Sequence, residues 1–166
     1  MDDIKDKYKY FPQYNELRDL LKHANVKTGR LLKALDSYEY QSDDYRFDFV
    51  IENQRGTKLF GIPLFSNKTL LPFIDPPTYQ LLDGRTISLT YNNISNFPLP
   101  DMDWEWTWDK WYLLMVNDVD AQGWLYSLMM FSSTHWKGKY RFGNFIRRRI
   151  WVRMRHKIAT ERSKQT

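Results

Sequence analysis

The chain has no cysteine, which excludes disulfides, thiol nucleophiles and thiolate metal sites, and predicts a reducing, cytosolic or nuclear setting. Histidine is scarce as well. His23, His135 and His156 lie in three separate regions, none at a recognised motif spacing from an acid or a serine. There is no Gly-rich phosphate loop, no H-E-x-x-H and no G-x-S-x-G. Asp43, Asp44, Asp48, Asp101, Asp103 and Glu105 are read as screening nearby arginines in preference to pairing as acid and base. Together these absences predict a protein that is not an enzyme and uses no cofactor or metal. No run reaches the roughly 18 to 20 apolar residues of a membrane span, and the densest apolar runs, 111–116 and 124–131, are of strand length. The opening MDDIKDKYKYF has no apolar stretch and is expected not to be a secretory signal, while Asp2 stands where myristoylation needs glycine. The triplets beginning at Asn67 and Asn93 therefore read as accidental glycosylation matches.

Rings are what the chain has in abundance. Aromatics supply 17% of its 166 residues within a hydrophobic total of 42%, and four of seven tryptophans fall in Trp104-Glu105-Trp106-Thr107-Trp108-Asp109-Lys110-Trp111. The length suffices for one domain with a real core, built more from rings than from aliphatics. The net charge of +5 hides a strong asymmetry: residues 137–166 carry +10 and residues 1–136 carry −5. A C-terminal positive field draws anionic partners, whether phospholipid or nucleic acid.

Along the chain, residues 13–37 place Leu17, Leu20, Leu21 and Ala24, then Leu31, Leu32 and Leu35, at helical spacing, predicting an amphipathic lead-in over 1–44. From Tyr45 the period becomes two. Tyr45, Phe47, Phe49 and Ile51 point one way, and Arg46, Asp48, Val50 and Glu52 the other, as in a strand. Prolines and glycines make 56–80 an irregular connection, and 78–103 reads as a polar, turn-rich insert. Asp118 to Gly123 imitates the start of a calcium loop, but the twelfth position is Met129, so a β-turn before Trp124 is predicted. Near the C-terminus, Ile146, Arg148, Ile150, Val152 and Met154 share one strand face, and Arg147, Arg149, Trp151, Arg153 and Arg155 form an arginine ladder on the other. Residues 156–166 read as a basic tail.

Trp104, Trp106 and Trp108 would share a face in a strand, and two arrangements fit. Either the indoles stack with the arginine ladder, each guanidinium–indole contact gaining roughly 0.5 to 2 kcal/mol, or the rings bury conventionally and the arginines face water. Glu52 is placed to pair bidentately with a ladder arginine, and Asn53 and Gln54 to satisfy backbone groups.

Several elements in order resemble the dysferlin domain: Ile51-Glu52-Asn53-Gln54-Arg55, Leu70-Leu71-Pro72, Asp75-Pro76-Pro77, Trp104-Glu105-Trp106, Trp111, Asp120 to Tyr126 and Arg147-Arg148-Arg149-Ile150-Trp151-Val152-Arg153. The likeness spans about residues 45–155. Two positions depart from it: Gly56 where a bulky residue is common, and Thr78-Tyr79 where tryptophan is usual. The resemblance implies a mainly β fold, an antiparallel sheet of long strands held by stacked Arg and Trp. The implied stack comprises Arg55, Trp104, Trp106, Trp111, Trp124, Arg147, Arg149, Trp151 and Arg153. It also implies a non-catalytic adaptor at an intracellular membrane. Without membrane spans or C2 domains, the chain looks like the small stand-alone members of yeasts. That implies membrane extension during sporulation and meiosis, at the forespore (prospore) membrane or endoplasmic reticulum, through lipid supply at membrane contact sites, beside a membrane-associated protein partner. Lys137, Lys139, Arg141, Lys157, Arg162 and Lys164 are the candidates for anionic phospholipid headgroups, each base near such a surface adding about 1 kcal/mol. The competing expectation is a nucleic-acid-binding module, which needs free ring faces for base stacking.

Overall fold

The computed structural model describes Leu32, Leu35 and residues 44–115 and 119–158. Leu32 and Leu35 are helical, and Leu35 lies in the core. The rest of the expected lead-in helix falls outside the described residues.

Two long strands organise the protein: β1 (Tyr45–Arg55) and β8 (Ile146–Lys157), antiparallel over their whole length from Tyr45 opposite His156 to Arg55 opposite Ile146. Between them in sequence lie six short strands: β2 (Lys58–Leu59), β3 (Ile62–Pro63), β4 (Tyr79–Gln80), β5 (Trp104–Trp106), β6 (Tyr112–Leu113) and β7 (Leu125–Ser127). In the six-stranded antiparallel sheet, β4 covers the outer edge of β1 at Ile51 and Glu52. Strands β7, β6 and β5 follow one another along the outer edge of β8. Strands β2 and β3 form a separate hairpin.

The period of two in β1 and β8 divides the sheet into two faces. Tyr45, Phe47, Phe49 and Ile51 join Ile146, Ile150, Val152 and Met154, with Trp108, Leu114, Leu125 and Trp136, in the main core. A smaller cluster on the other face gathers Val50, Tyr79, Leu89 and Trp111. The polar 78–103 stretch is thus structural cover: Tyr79 pairs with β1, and Leu89 closes over Val50.

One expectation fails locally. Trp104 and Trp106 share a face, but Trp108 does not join them. The amides of Thr107 and Trp108 both donate to the Met154 carbonyl, at 2.9 and 3.3 Å. Two residues opposite one is a β-bulge, and the extra residue sends Trp108 into the main core, 5.6 Å from Phe47 and fully buried. At the predicted turn, the Gly123 amide donates to the Asp120 carbonyl at 3.0 Å. One Asp120 carboxylate oxygen accepts from the Gln122 and Trp124 amides and the other from the Tyr126 hydroxyl; Asp118 lies outside the described residues.

Gly56 also has a local reason. A Cβ there would lie 2.1 Å from the Leu64 carbonyl oxygen, so only glycine lets the returning hairpin close on the end of β1.

Candidate functional site

The face of β8 opposite the main core carries a column of cations and rings. Arg147 lies 4.7 Å from the centre of Phe65 and 3.9 Å from that of Trp124; Arg149 lies 4.2 Å from Trp124 and 4.9 Å from Trp151. Trp124 is therefore held between two guanidiniums and is only 2% exposed. Farther along β8, Arg153 stacks on Trp106 at 4.3 Å, and Arg155 and Lys157 both approach Trp104, at 4.6 and 5.5 Å. Trp111 belongs to this face differently. It meets the rings of Phe97 and Trp106 edge-on, at 5.2 and 5.5 Å, and no described guanidinium lies over it.

Strand β1 supplies the acceptors that let these arginines leave water. Arg147 donates from Nε and Nη2 to the Gln54 Oε1, and Arg149 donates to Glu52 at 2.9 Å while Trp151 Nε1 shares the same oxygen. Arg155 pairs with Asp48, and Arg153 donates to the Trp108 and Asp109 carbonyls. Burial pushes the Asp48 carboxyl upward against the pull of Arg155, and burial lowers the Arg147 guanidinium. Asn53 splits its amide between the Pro77 carbonyl and Gln80, whereas Gln54 serves a side chain, not backbone. The role of Asp48 and Gln54 was visible only as the polar alternation of β1.

A further stack occupies the core side. Arg148 lies 4.0 Å over the fully buried Trp136, and burial lowers its guanidinium to about 10. The strand period placed Arg148 on this face without indicating a ring beneath it.

Arg55 does not join the column. It forks onto Asp75, with two 2.6 Å bonds, and donates to the Met129 carbonyl at 2.7 Å. The Leu71 amide also donates to Asp75 at 2.7 Å. The ENQR and DPP elements thus meet as a clasp fastening the 66–76 and 128–134 loops to one end of the sheet. Burial opposes the Asp75 charge, but the Arg55 fork and Leu71 amide outweigh it and hold the carboxyl below its ordinary value of 3.8. A depressed carboxylate contributes stability that is present above its unfolded value and lost as pH falls through the folded one. We predict that Asp75→Asn costs about 1.5 to 3 kcal/mol, read as a lower protection factor at the Leu71 amide, and that acidification below the carboxylate range lowers that protection factor, the intrinsic rate relative to the observed one, in the natural chain but much less in the variant.

Among the predicted lipid contacts, Lys137, Lys139 and Arg141 are exposed at this same end, whereas Lys157 lies over Trp104 as part of the column. Arg162 and Lys164 lie outside the described residues. Lys137 and Arg141 line one hollow with Leu128, His135 and Phe142. His156 is buried, bonded to Thr107 at 2.7 Å. No helix among the described residues is long and apolar enough to cross a membrane.

Sporulation-specific protein 73 of Saccharomyces cerevisiae is 43% identical over 125 residues, a match covering 64% of this chain and 84% of that protein. The chain belongs to the family of sporulation-specific protein 73. The meiotically up-regulated gene 65 protein of Schizosaccharomyces pombe is 40% identical over 116 residues, 69% of this chain. A tectonin beta-propeller repeat-containing protein of Drosophila melanogaster is 33% identical over 111 residues, 65% of this chain. The matched regions span 45% and 7% of those two longer proteins. No family model matches the chain. The two fungal relatives carry sporulation and meiosis in their names, which is consistent with a role for this chain in sporulation.

Proposed function

We propose that this member of the sporulation-specific protein 73 family is a non-catalytic, membrane-associated adaptor of dysferlin-domain type. It supports extension of the forespore (prospore) membrane during sporulation, at contacts with lipid-supplying membranes and beside a membrane-associated protein partner. The observation that carries this reading is the division of the cations into two populations. The ladder arginines are committed to Trp rings and to Asp48, Glu52 and Gln54. Lys58, Lys68, Lys137, Lys139 and Arg141, by contrast, are exposed. This exposed population supports the reading of a surface that attracts anionic headgroups.

Nucleic-acid binding is less well supported, since base stacking needs open ring faces and the two faces of Trp124 are covered by Arg147 and Arg149. In sporulating cells, a fluorescently tagged chain is expected to gather on the forespore membrane as it forms. A uniform distribution that does not change when that membrane appears would overturn the proposal.

A further inference from the structure

The end of the sheet where β1 finishes and β8 begins carries three phenylalanines presented almost free of the protein. Phe60 is 94% exposed, Phe73 107% and Phe142 97%. They stand on three separate connections, each fastened to the same end. The β2–β3 hairpin bearing Phe60 is tied to it by the Ser66–Arg55 backbone pair and by Tyr140, whose hydroxyl accepts from the Lys58 amide. The loop bearing Phe73 is held by the Arg55–Asp75 clasp. The connection bearing Phe142 returns to β8 at Phe145, whose amide donates to the Leu128 carbonyl while its own carbonyl accepts from Gly56.

Two of the three rings sit on backbone that disfavours them. Phe60 and Gly61 form the hairpin turn with φ of 49° and 80°, a geometry in which asparagine or aspartate is the favoured first residue. Phe73 has φ of 65°. An aromatic side chain gains nothing for the fold in a left-handed turn with its ring in water. A phenylalanine there must be accounted for by what it meets outside the chain. Tyr91 shares this combination, with φ of 56° and 94% exposure, on the 78–103 connection.

Charge identifies what is met. The two stretches that build this end, residues 56–74 and 128–145, contain Lys58, Lys68, Lys137, Lys139 and Arg141 and no aspartate or glutamate. Asp44, Asp101, Asp103 and Glu105 are all exposed at the opposite end, where Asp44 and Asp103 bond the last residues of β8. The long strands separate the two ends by roughly 35 Å at about 3.3 Å per residue. One end is thus apolar at its tips with exposed bases around them, its Asp75 being buried under Arg55, while exposed carboxylates gather at the other. Single rings on separate tips, ringed by bases, match a surface that is apolar a few ångströms below an anionic layer.

We propose that this end docks on a phospholipid leaflet, with Phe60, Phe73 and Phe142 entering the boundary between headgroups and acyl chains while the surrounding bases meet anionic headgroups. The inference rests on the membrane-associated reading above and adds which face is used and how deep it goes.

Because the chain lacks cysteine, single substitutions Phe60→Cys, Phe73→Cys and Phe142→Cys can each carry an environment-sensitive fluorophore in the full-length protein, with Met102→Cys as the control at the acidic end. Vesicles of phosphatidylcholine with phosphatidylserine are expected to blue-shift the three tip labels and leave the fourth unchanged. In unlabelled protein, Phe60→Gly, Phe73→Gly and Phe142→Ser combined should weaken vesicle affinity at least about ten-fold without lowering the melting temperature, since glycine suits both turns. Protein that sediments with the vesicles while all labels stay silent would overturn insertion and leave membrane association standing. Absence of sedimentation with any vesicle would overturn leaflet docking, while the distribution of the tagged chain in sporulating cells decides the membrane-associated reading separately.

Discussion

Trp124→Ala is expected to destabilise the protein by about 3 to 5 kcal/mol, the cost of removing a large buried ring, a substantial part of the roughly 5 to 15 kcal/mol that holds a typical domain. Two causes act together. The ring is 2% exposed, so its loss leaves a cavity. It also separates Arg147 and Arg149, which approach its centre at 3.9 and 4.2 Å. Without it, two guanidiniums face each other across a void. Trp124→Phe keeps a π face and should recover part of the loss, whereas Trp124→Leu, which fills space without one, should recover less, the difference being the roughly 0.5 to 2 kcal/mol of cation–ring attraction. Urea unfolding of the three variants measures this directly. Equal stability of the Phe and Leu variants would mean that the column is held by burial alone.

Glu52→Ala is the second large expectation, at about 3 to 5 kcal/mol. Glu52 receives Arg149 and the Trp151 indole N–H on one oxygen at 2.9 Å each, and its side chain is 8% exposed. Removing it strands a cation and a donor in the middle of the β1–β8 pair, where water does not readily replace the acceptor. Glu52→Gln retains an oxygen for Trp151 and should cost clearly less. A melting temperature for Glu52→Ala equal to that of the natural chain would show that Arg149 reaches solvent instead.

The long strands were legible because eleven or twelve residues give the period of two room to repeat, and because the complementary faces of β1 and β8 both show it. Strands of two or three residues such as β4 and β6 have no period to read, and exist because β1 or β8 offers them an edge. Trp108 misled because a bulge changes a side chain's face through one shared carbonyl, which alternation cannot anticipate. Likeness places Arg55 in the stack; its pairing with Asp75 joins the last residue of β1 to an irregular loop 20 residues on, and no periodicity connects them. The tip phenylalanines were hidden by composition, which counts every ring toward the core. Their neighbours Gly61, Pro72 and Gly143 are turn residues and were the available signal.

On the proposed reading, ladder arginines hold the fold while the bases where β1 ends and β8 begins bind the membrane. Co-sedimentation with vesicles containing phosphatidic acid, phosphatidylserine or phosphoinositide separates the two roles, comparing the natural chain with one in which Lys58, Lys137, Lys139 and Arg141 are replaced by glutamine. At about 1 kcal/mol per base, the variant is expected to fold and its affinity to fall by roughly two to three orders of magnitude. Undiminished binding by that variant would show that these four bases do not bind the membrane and return anion recognition to the ladder or to the residues beyond it.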